Sequence, residues 1–118
     1  MNYSICGVKI SEKKNILFGL TKIYGIGIKL SNKICKKLKI DVKKKVFNLS
    51  NIEFELLNNF IKKIIIENDL KLLIKENLKR ILNLNSYKSY RHKKKLPCRG
   101  QRTKTNAKTR KKMNHEKI

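Results

Sequence analysis

The chain has 118 residues, of which 31 are Lys or Arg and 8 are Asp or Glu, for a formal charge of +23. This length supports one domain with a modest core, and so basic a chain repels itself unless a polyanion neutralises it. No apolar run approaches the ~18 residues of a membrane span, and Cys6, Cys35 and Cys98 have neither disulfide-framework nor zinc spacing, so a reduced compartment with no metal or other cofactor is expected.

The opening stretch, MNYSICGVKI, has no secretory apolar region and no Arg- and Ser-rich transit pattern, which predicts a protein made where it works. Ser11 is expected to cap a first helix whose apolar face is Ile16, Leu17, Leu20, Ile23 and Tyr24. Gly25–Ile26–Gly27 breaks it. A second helix sets Leu30, Ile34 and Leu38 on one stripe, leaves Lys29, Lys33, Lys36 and Lys37 on the remaining surface, and ends near Ile40–Asp41. Lys45–Val46–Phe47–Asn48 is the one stretch compatible with a strand.

Ser50–Asn51–Ile52–Glu53 is a capping box, with Leu49 placed to staple against Phe54. The third helix it opens is predicted to run to about Ile66 on an apolar set of Ile52, Leu56, Phe60, Ile61, Ile64 and Ile65. Asn68 or Asp69 then caps a fourth, lined by Leu70, Leu73, Ile74, Leu78, Ile81 and Leu82. A link this short predicts an antiparallel hairpin of the two longest helices. Leu57, Ile66, Leu72 and Leu84 lie off the main stripes and are expected to leave apolar surface for a protein partner. Charge divides the chain at the end of this hairpin: 18 basic and 7 acidic residues precede Tyr87, whereas Tyr87 to Lys112 holds 12 basic and none acidic. The fold class is therefore mostly α. A small helical head over residues 1–86, with a helix-hairpin-helix-like turn and the long hairpin, leads into an extended basic tail over 87–118.

Three stretches carry binding chemistry. At Ile23–Tyr24–Gly25–Ile26–Gly27, Gly25 and Gly27 let a phosphate approach the backbone, the amides opening the second helix point at it, and Lys29 stands beside them. A plain glycine turn between packed helices is the alternative. In Tyr87–Lys95, rings alternate with cations: Tyr90 and Arg91 suit stacking on unpaired bases, Lys88, Lys93 and Lys94 suit phosphates, and His92 suits either. In LPCRGQRTKTNAKTRKK, which begins at Leu96, Pro97 stiffens the entry and Gly100 permits close backbone approach. Arg99 and Arg102 can grip phosphates bidentately, and Gln101, Thr103, Thr105 and Asn106 offer short donors. Lys104, Lys108, Arg110 and Lys111 complete the charge. The carboxylates form no catalytic pair: Glu53 serves as a cap, Glu76 is spaced to pair with Arg80, and Asp69 favours a helix start.

The pattern LPxRGQRTxTNAxTRK resembles the C-terminal signature of the small-subunit ribosomal protein thirteen family. The resemblance extends upstream through Tyr90–Arg91–His92, Leu78–Lys79–Arg80 and Leu20 to Gly27, to the arm Gly7–Val8–Lys9–Ile10. It implies a non-enzymatic protein in the head of the small subunit. The implied partners are small-subunit rRNA, small-subunit protein nineteen, large-subunit protein five with large-subunit rRNA across a bridge, and peptidyl-site tRNA. Two family glycines are replaced, by Ser89 and Lys95, and Glu116 adds a negative charge near a short ending. A short ending, an abundance of Lys, Asn and Ile, whose codons are A/T-rich, and the missing presequence together point to a mitochondrial ribosome, with a plastid or the cytoplasm of an AT-rich bacterium as alternatives. Glu67, Asn68 and Asp69 make the interhelical tip the least basic part of the head, and the bridge is expected there. A DNA-binding helix-hairpin-helix module of a repair or nucleoid protein is the competing reading. A membrane-surface protein is the third, for which the Gly, Thr and Asn of the tail would be wasted.

Overall fold

The computed structural model describes residues 3–113; Asn114 to Ile118, with Glu116, lie outside them. The chain is mostly helical. β1 (Ser4–Ile5) and β2 (Val8–Lys9) pair antiparallel and are followed by α1 (Ile16–Leu20) and α2 (Ile28–Lys37). A 3₁₀ turn at Val46–Asn48 precedes α3 (Asn51–Ile61), α4 (Glu67–Asn83), α5 (Tyr87–Lys93) and α6 (Lys108–Lys112). Two compact units divide at Leu70 and Lys71, inside α4.

In the first unit, Cys6 and Gly7 both take positive φ, 48° and 80°, which is the backbone of a type I′ hairpin turn. Asn58 Oδ1 accepts the Cys6 N–H at 3.3 Å and fixes this arm to α3. The hairpin thereby carries Ile5 and Ile10 into a core shared with Ile16, Leu20, Ile23, Ile34, Cys35, Val46, Leu57 and Ile61. Burial pushes the Cys35 thiol pKa up, leaving that sulfur an apolar filler.

Local details depart from the sequence expectations in informative ways. Asn15, not Ser11, precedes α1, because residues 14–16 are drawn into pairing with residues 44–46: Ile16 N donates to Lys44 O at 2.8 Å and Val46 N to Lys14 O at 3.0 Å. The permitted strand at Lys45–Asn48 reduces to a single bridge between Asn15 and Lys45, with the 3₁₀ turn following. The capping box forms as expected: Ser50 Oγ accepts from Glu53 N at 3.2 Å and the Glu53 carboxylate accepts from Ser50 N at 2.8 Å. Lys44 Nζ closes on the same carboxylate at 2.7 Å, and this bond and the Ser50 amide hold the Glu53 pKa below its ordinary value. That stabilisation is present above the unfolded carboxylate pKa of about 4.3 and is lost as pH falls through the lowered folded value. Among the described residues Lys44–Glu53 is the ion pair formed; Glu76 and Arg80 do not close.

α3 ends at Ile61 instead of continuing to Ile66, and its inward stripe is only partly the expected one: Ile61 is buried and Phe60 and Ile64 pack against the core, while Ile52, Leu56 and Ile65 face outward. Leu57 is 0% exposed while Ile52 is 72% and Leu56 47% exposed. Ending early lets residues 62–66 turn so that Ile66 enters the core. Leu72 and Leu84 are exposed, as their off-stripe positions suggested.

In the second unit no apolar core comparable to this exists: α4 buries no residue fully, and Ser89 and Ala107 are the buried residues among those described. The tail, expected to be extended, carries two short helices. Ser86 caps α5, its Oγ accepting from Ser89 N at 3.2 Å, and Ser89 Oγ donates to Leu82 O at 2.8 Å, tying α5 to the last turn of α4. A glycine there would lose that tie.

α2 and α5 end alike. After α2, Ile40 N donates to Cys35 O and Lys39 N to Lys36 O; after α5, Leu96 N donates to Arg91 O and Lys95 N to His92 O. Both are Schellman closures, whose left-handed residue is usually glycine. Here it is lysine, Lys39 at φ 57° and Lys95 at φ 55°.

Candidate nucleic-acid interface

The first binding stretch lies in the first unit, where α1 and α2 pack across the turn. Ser31 Oγ, fully buried, donates to Leu17 O at 2.7 Å and sets the helices' spacing. Gly25 has φ 103°, which side chains rarely adopt, and a Cβ there would stand 2.7 Å from Leu70 Cδ2. Gly27 differs: it precedes α2 at φ −92°, and a Cβ would meet nothing within 4 Å. The two glycines therefore have separate duties. Gly25 is required by the turn, while Gly27 leaves open space before the first amides of α2, with Ile28 and Lys29 exposed beside it. No acid lies in the first turn of α2, so the helix dipole there is unopposed by its own side chains.

Glu67 holds this turn in place. Its carboxylate accepts the Tyr24 N–H at 2.7 Å, and its own N–H donates to Tyr24 O at 2.9 Å, with Glu67 itself at φ 49°. Of the three residues expected at the tip, Glu67 is thus engaged within the unit, while Asn68 and Asp69 are exposed.

The second and third stretches lie in the second unit and are brought together by two arginines. Arg91 Nε donates to Pro97 O at 2.9 Å and its guanidinium lies 5.9 Å from the Tyr87 ring centroid. Arg110, from α6, donates through Nε to Leu96 O at 3.2 Å and through its terminal nitrogen to His92 Nδ1. Two arginines expected to contact RNA thus also pin the loop between α5 and α6. Around them Lys88, Tyr90, Lys93 and Lys94 on α5 are exposed, as are Arg99, Gly100, Gln101, Arg102, Thr103, Lys104, Thr105 and Asn106 in the loop. Lys108 and Lys111 extend the same charge onto α6. Gly100 takes φ 73° with open space around it, which suits close approach of a ligand to the main chain.

Several residues of this site were not legible as such. Cys98, Thr109 and Met113 line a groove with His92 and Arg110, and Ser89 is structural. His92 and Arg110 are 18 positions apart, a pairing that no local pattern announces.

The sequence pattern of the family described as "Ribosomal protein S13/S18" matches residues 4–109. The "small ribosomal subunit protein uS13" of Carsonella ruddii (strain PV) is 69% identical over 118 residues, covering 100% of both chains. That relative is bacterial, so it lends no support to the mitochondrial expectation, whereas the bacterial alternative fits. No helix among the described residues is long and apolar enough to cross a membrane.

Proposed function

This chain belongs to the ribosomal protein S13/S18 family, a structural and non-enzymatic part of the small ribosomal subunit, and from that premise we propose that its tail and its glycine turn hold small-subunit rRNA. The observation that carries the reading is the loop from Leu96 to Asn106. It is pinned from inside by Arg91 and Arg110 and turns Arg99, Arg102 and Lys104 outward, with no acid anywhere between Tyr87 and Lys112. Such a surface, with Tyr90 exposed beside it, suits phosphates and unstacked bases of folded RNA. Gly27 and Lys29 add a second, smaller phosphate contact at the start of α2. The residues chosen from the sequence, from Lys88 to Lys111, are the contacts in this reading.

The rest of the proposal follows from family membership. The chain sits in the head of the small subunit beside protein nineteen, directs its tail toward peptidyl-site tRNA, and meets large-subunit protein five and rRNA at the tip. It works in the cytoplasm of an AT-rich bacterium. A DNA-binding helix-hairpin-helix module is not favoured, since the family is ribosomal. Cofractionation on a sucrose gradient tests the reading: the chain is expected in the small-subunit and joined-ribosome peaks, and its absence from both ends the proposal. Asp69 is the better tip residue to reverse, because Glu67 is committed to Tyr24. Asp69→Lys is expected to leave small-subunit incorporation intact and to weaken subunit joining; unchanged joining removes the tip from the bridge.

A further inference from the structure

The loop after α5 and the helix α6 enclose a groove of about 410 Å³, within the ~300–1,000 Å³ usual for small-molecule sites. Its charged walls are Arg99 and Arg110 without an acid, so an anionic ligand fits. Arg110 is fixed there at four points: the Leu96 carbonyl, His92 Nδ1, and the sulfurs of Met113 at 3.4 Å and Cys98 at 3.9 Å. Arginine has no acceptor, so in this contact Arg110 donates and His92 Nδ1 accepts. Two flat groups are thereby held in one wall, which is the means by which proteins stack an unpaired base.

The amides set which base. Arg99 N–H donates to Gln101 Oε1 at 3.1 Å, and Thr105 Oγ1 bonds Asn106 Oδ1 at 3.4 Å. Adenine is read by an amide that uses its oxygen and nitrogen together, on N6 and N7. The Arg99 amide takes one of the two lone pairs of the Gln101 oxygen, which ties that oxygen to the loop and weakens this mode. The Gln101 NH₂ stands in the lining beside the Arg99 guanidinium, and a wall rich in donors matches the adjacent acceptors O6 and N7 of guanine.

We infer that this groove is a nucleotide subsite that takes one unpaired guanine of the bound RNA, its ring against His92 and Arg110 and its O6/N7 edge toward Gln101. The inference rests on the RNA-binding reading of the tail and adds a base preference to it. Uniformly labelled full chain is titrated with guanosine 5′-monophosphate, adenosine 5′-monophosphate or inorganic phosphate while the Met113 methyl and His92 ring resonances are followed. The guanine nucleotide is expected to bind at least fivefold more tightly than the adenine one, with inorganic phosphate leaving the Met113 methyl unmoved. Gln101→Glu keeps an oxygen for the Arg99 amide but replaces the donor with an acceptor, so it is expected to invert the preference toward adenine while the far-ultraviolet dichroism stays unchanged. Equal affinities for the two nucleotides, or an unaltered ratio in Gln101→Glu, overturn the base preference. Salt-dependent binding of the same chain to small-subunit rRNA, measured in parallel, tests the tail reading separately: its persistence beside equal affinities rejects the subsite alone, and its loss rejects both.

Discussion

The two units of this chain are held by different forces. Residues up to Leu70 contain every member of the apolar core, thirteen buried side chains from Ile5 to Ile66. Residues from Lys71 contain one buried apolar side chain among those described, Ala107, and take their shape from helix caps and from arginines bonded to main-chain carbonyls. A fully buried Leu or Ile is worth ~1.5–3 kcal/mol, and a hydrogen bond a net ~0.5–1.5 kcal/mol, against an ordering cost of ~1–2 kcal/mol per residue. The first unit has the means to fold alone. The second has no such core, and in the proposed reading the RNA it binds contributes to its order.

Removing the second region's tail should separate the two properties most sharply. Deletion from Tyr87 onward is expected to leave the helical dichroism and thermal transition of the remaining chain in place while abolishing most rRNA affinity. The log–log salt slope should shrink by ~0.7–0.9 for each phosphate that the shortened chain no longer neutralises. A slope unchanged in filter binding would mean the tail is not the RNA anchor.

The converse change is Leu57→Ala. It empties a fully buried site and should cost ~2–5 kcal/mol, a large share of a small domain's stability, whereas Ile52→Ala on the exposed side of the same helix should cost under about 0.5 kcal/mol. Denaturant titration of both variants checks the assigned inward stripe. Equal costs would return the choice between the two faces of α3 to the open.

Within the first unit the glycines of the turn should part company. Gly25→Ala combines a φ of 103° with a clash against Leu70 and is expected to lose ~1–3 kcal/mol of stability. Gly27→Val meets no neighbour and should cost only the ~1 kcal/mol of a poorer N-cap, yet weaken rRNA binding by more than that by obstructing the amides of α2. A Gly27→Val chain that binds normally would leave the turn with a structural duty only.

The smallest expected effect is also the cleanest comparison of the two regions, because both contain the same closure. Replacing Lys39 or Lys95 by Gly relieves the same left-handed strain, on the order of 1 kcal/mol, less what glycine gives back in the unfolded chain. Lys39→Gly should raise the melting temperature by a few degrees. Lys95→Gly should not, since no cooperative core depends on it, and a matching rise would show that the second unit melts with the first.

Much of the fold could be read from the sequence because the signals were local. The Ser50–Glu53 box, the Ile34 stripe of α2 and the glycine break at residues 25–27 each lie within a few positions. What escaped was decided at long range. α3 offers two apolar stripes, one through Ile52, Leu56 and Phe60 and another through Leu57, Ile61 and Ile64, and periodicity cannot choose between them. The choice is made by where the chain turns after Ile61. The Schellman closures were hidden because lysine occupies the position at which glycine announces them. The basic residues of the tail were evident from composition, but not that Arg91 and Arg110 hold the loop, since their carbonyl partners lie 6 and 14 positions away.

The fastening of Tyr24 to Glu67 also makes a machine part of the tip. Three joints connect the first turn of α4 to the glycine turn: the carboxylate on the Tyr24 amide, the Glu67 amide on the Tyr24 carbonyl, and the Leu70 methyl occupying the space a side chain on Gly25 would need. A load applied at Asn68 or Asp69 therefore has a short route to the main chain of residues 24–25, through two hydrogen bonds and one apolar contact. If a neighbouring particle pushes on the tip, the start of α2 is displaced with it, so that in the proposed reading strain at the bridge is delivered to the phosphate contact as motion.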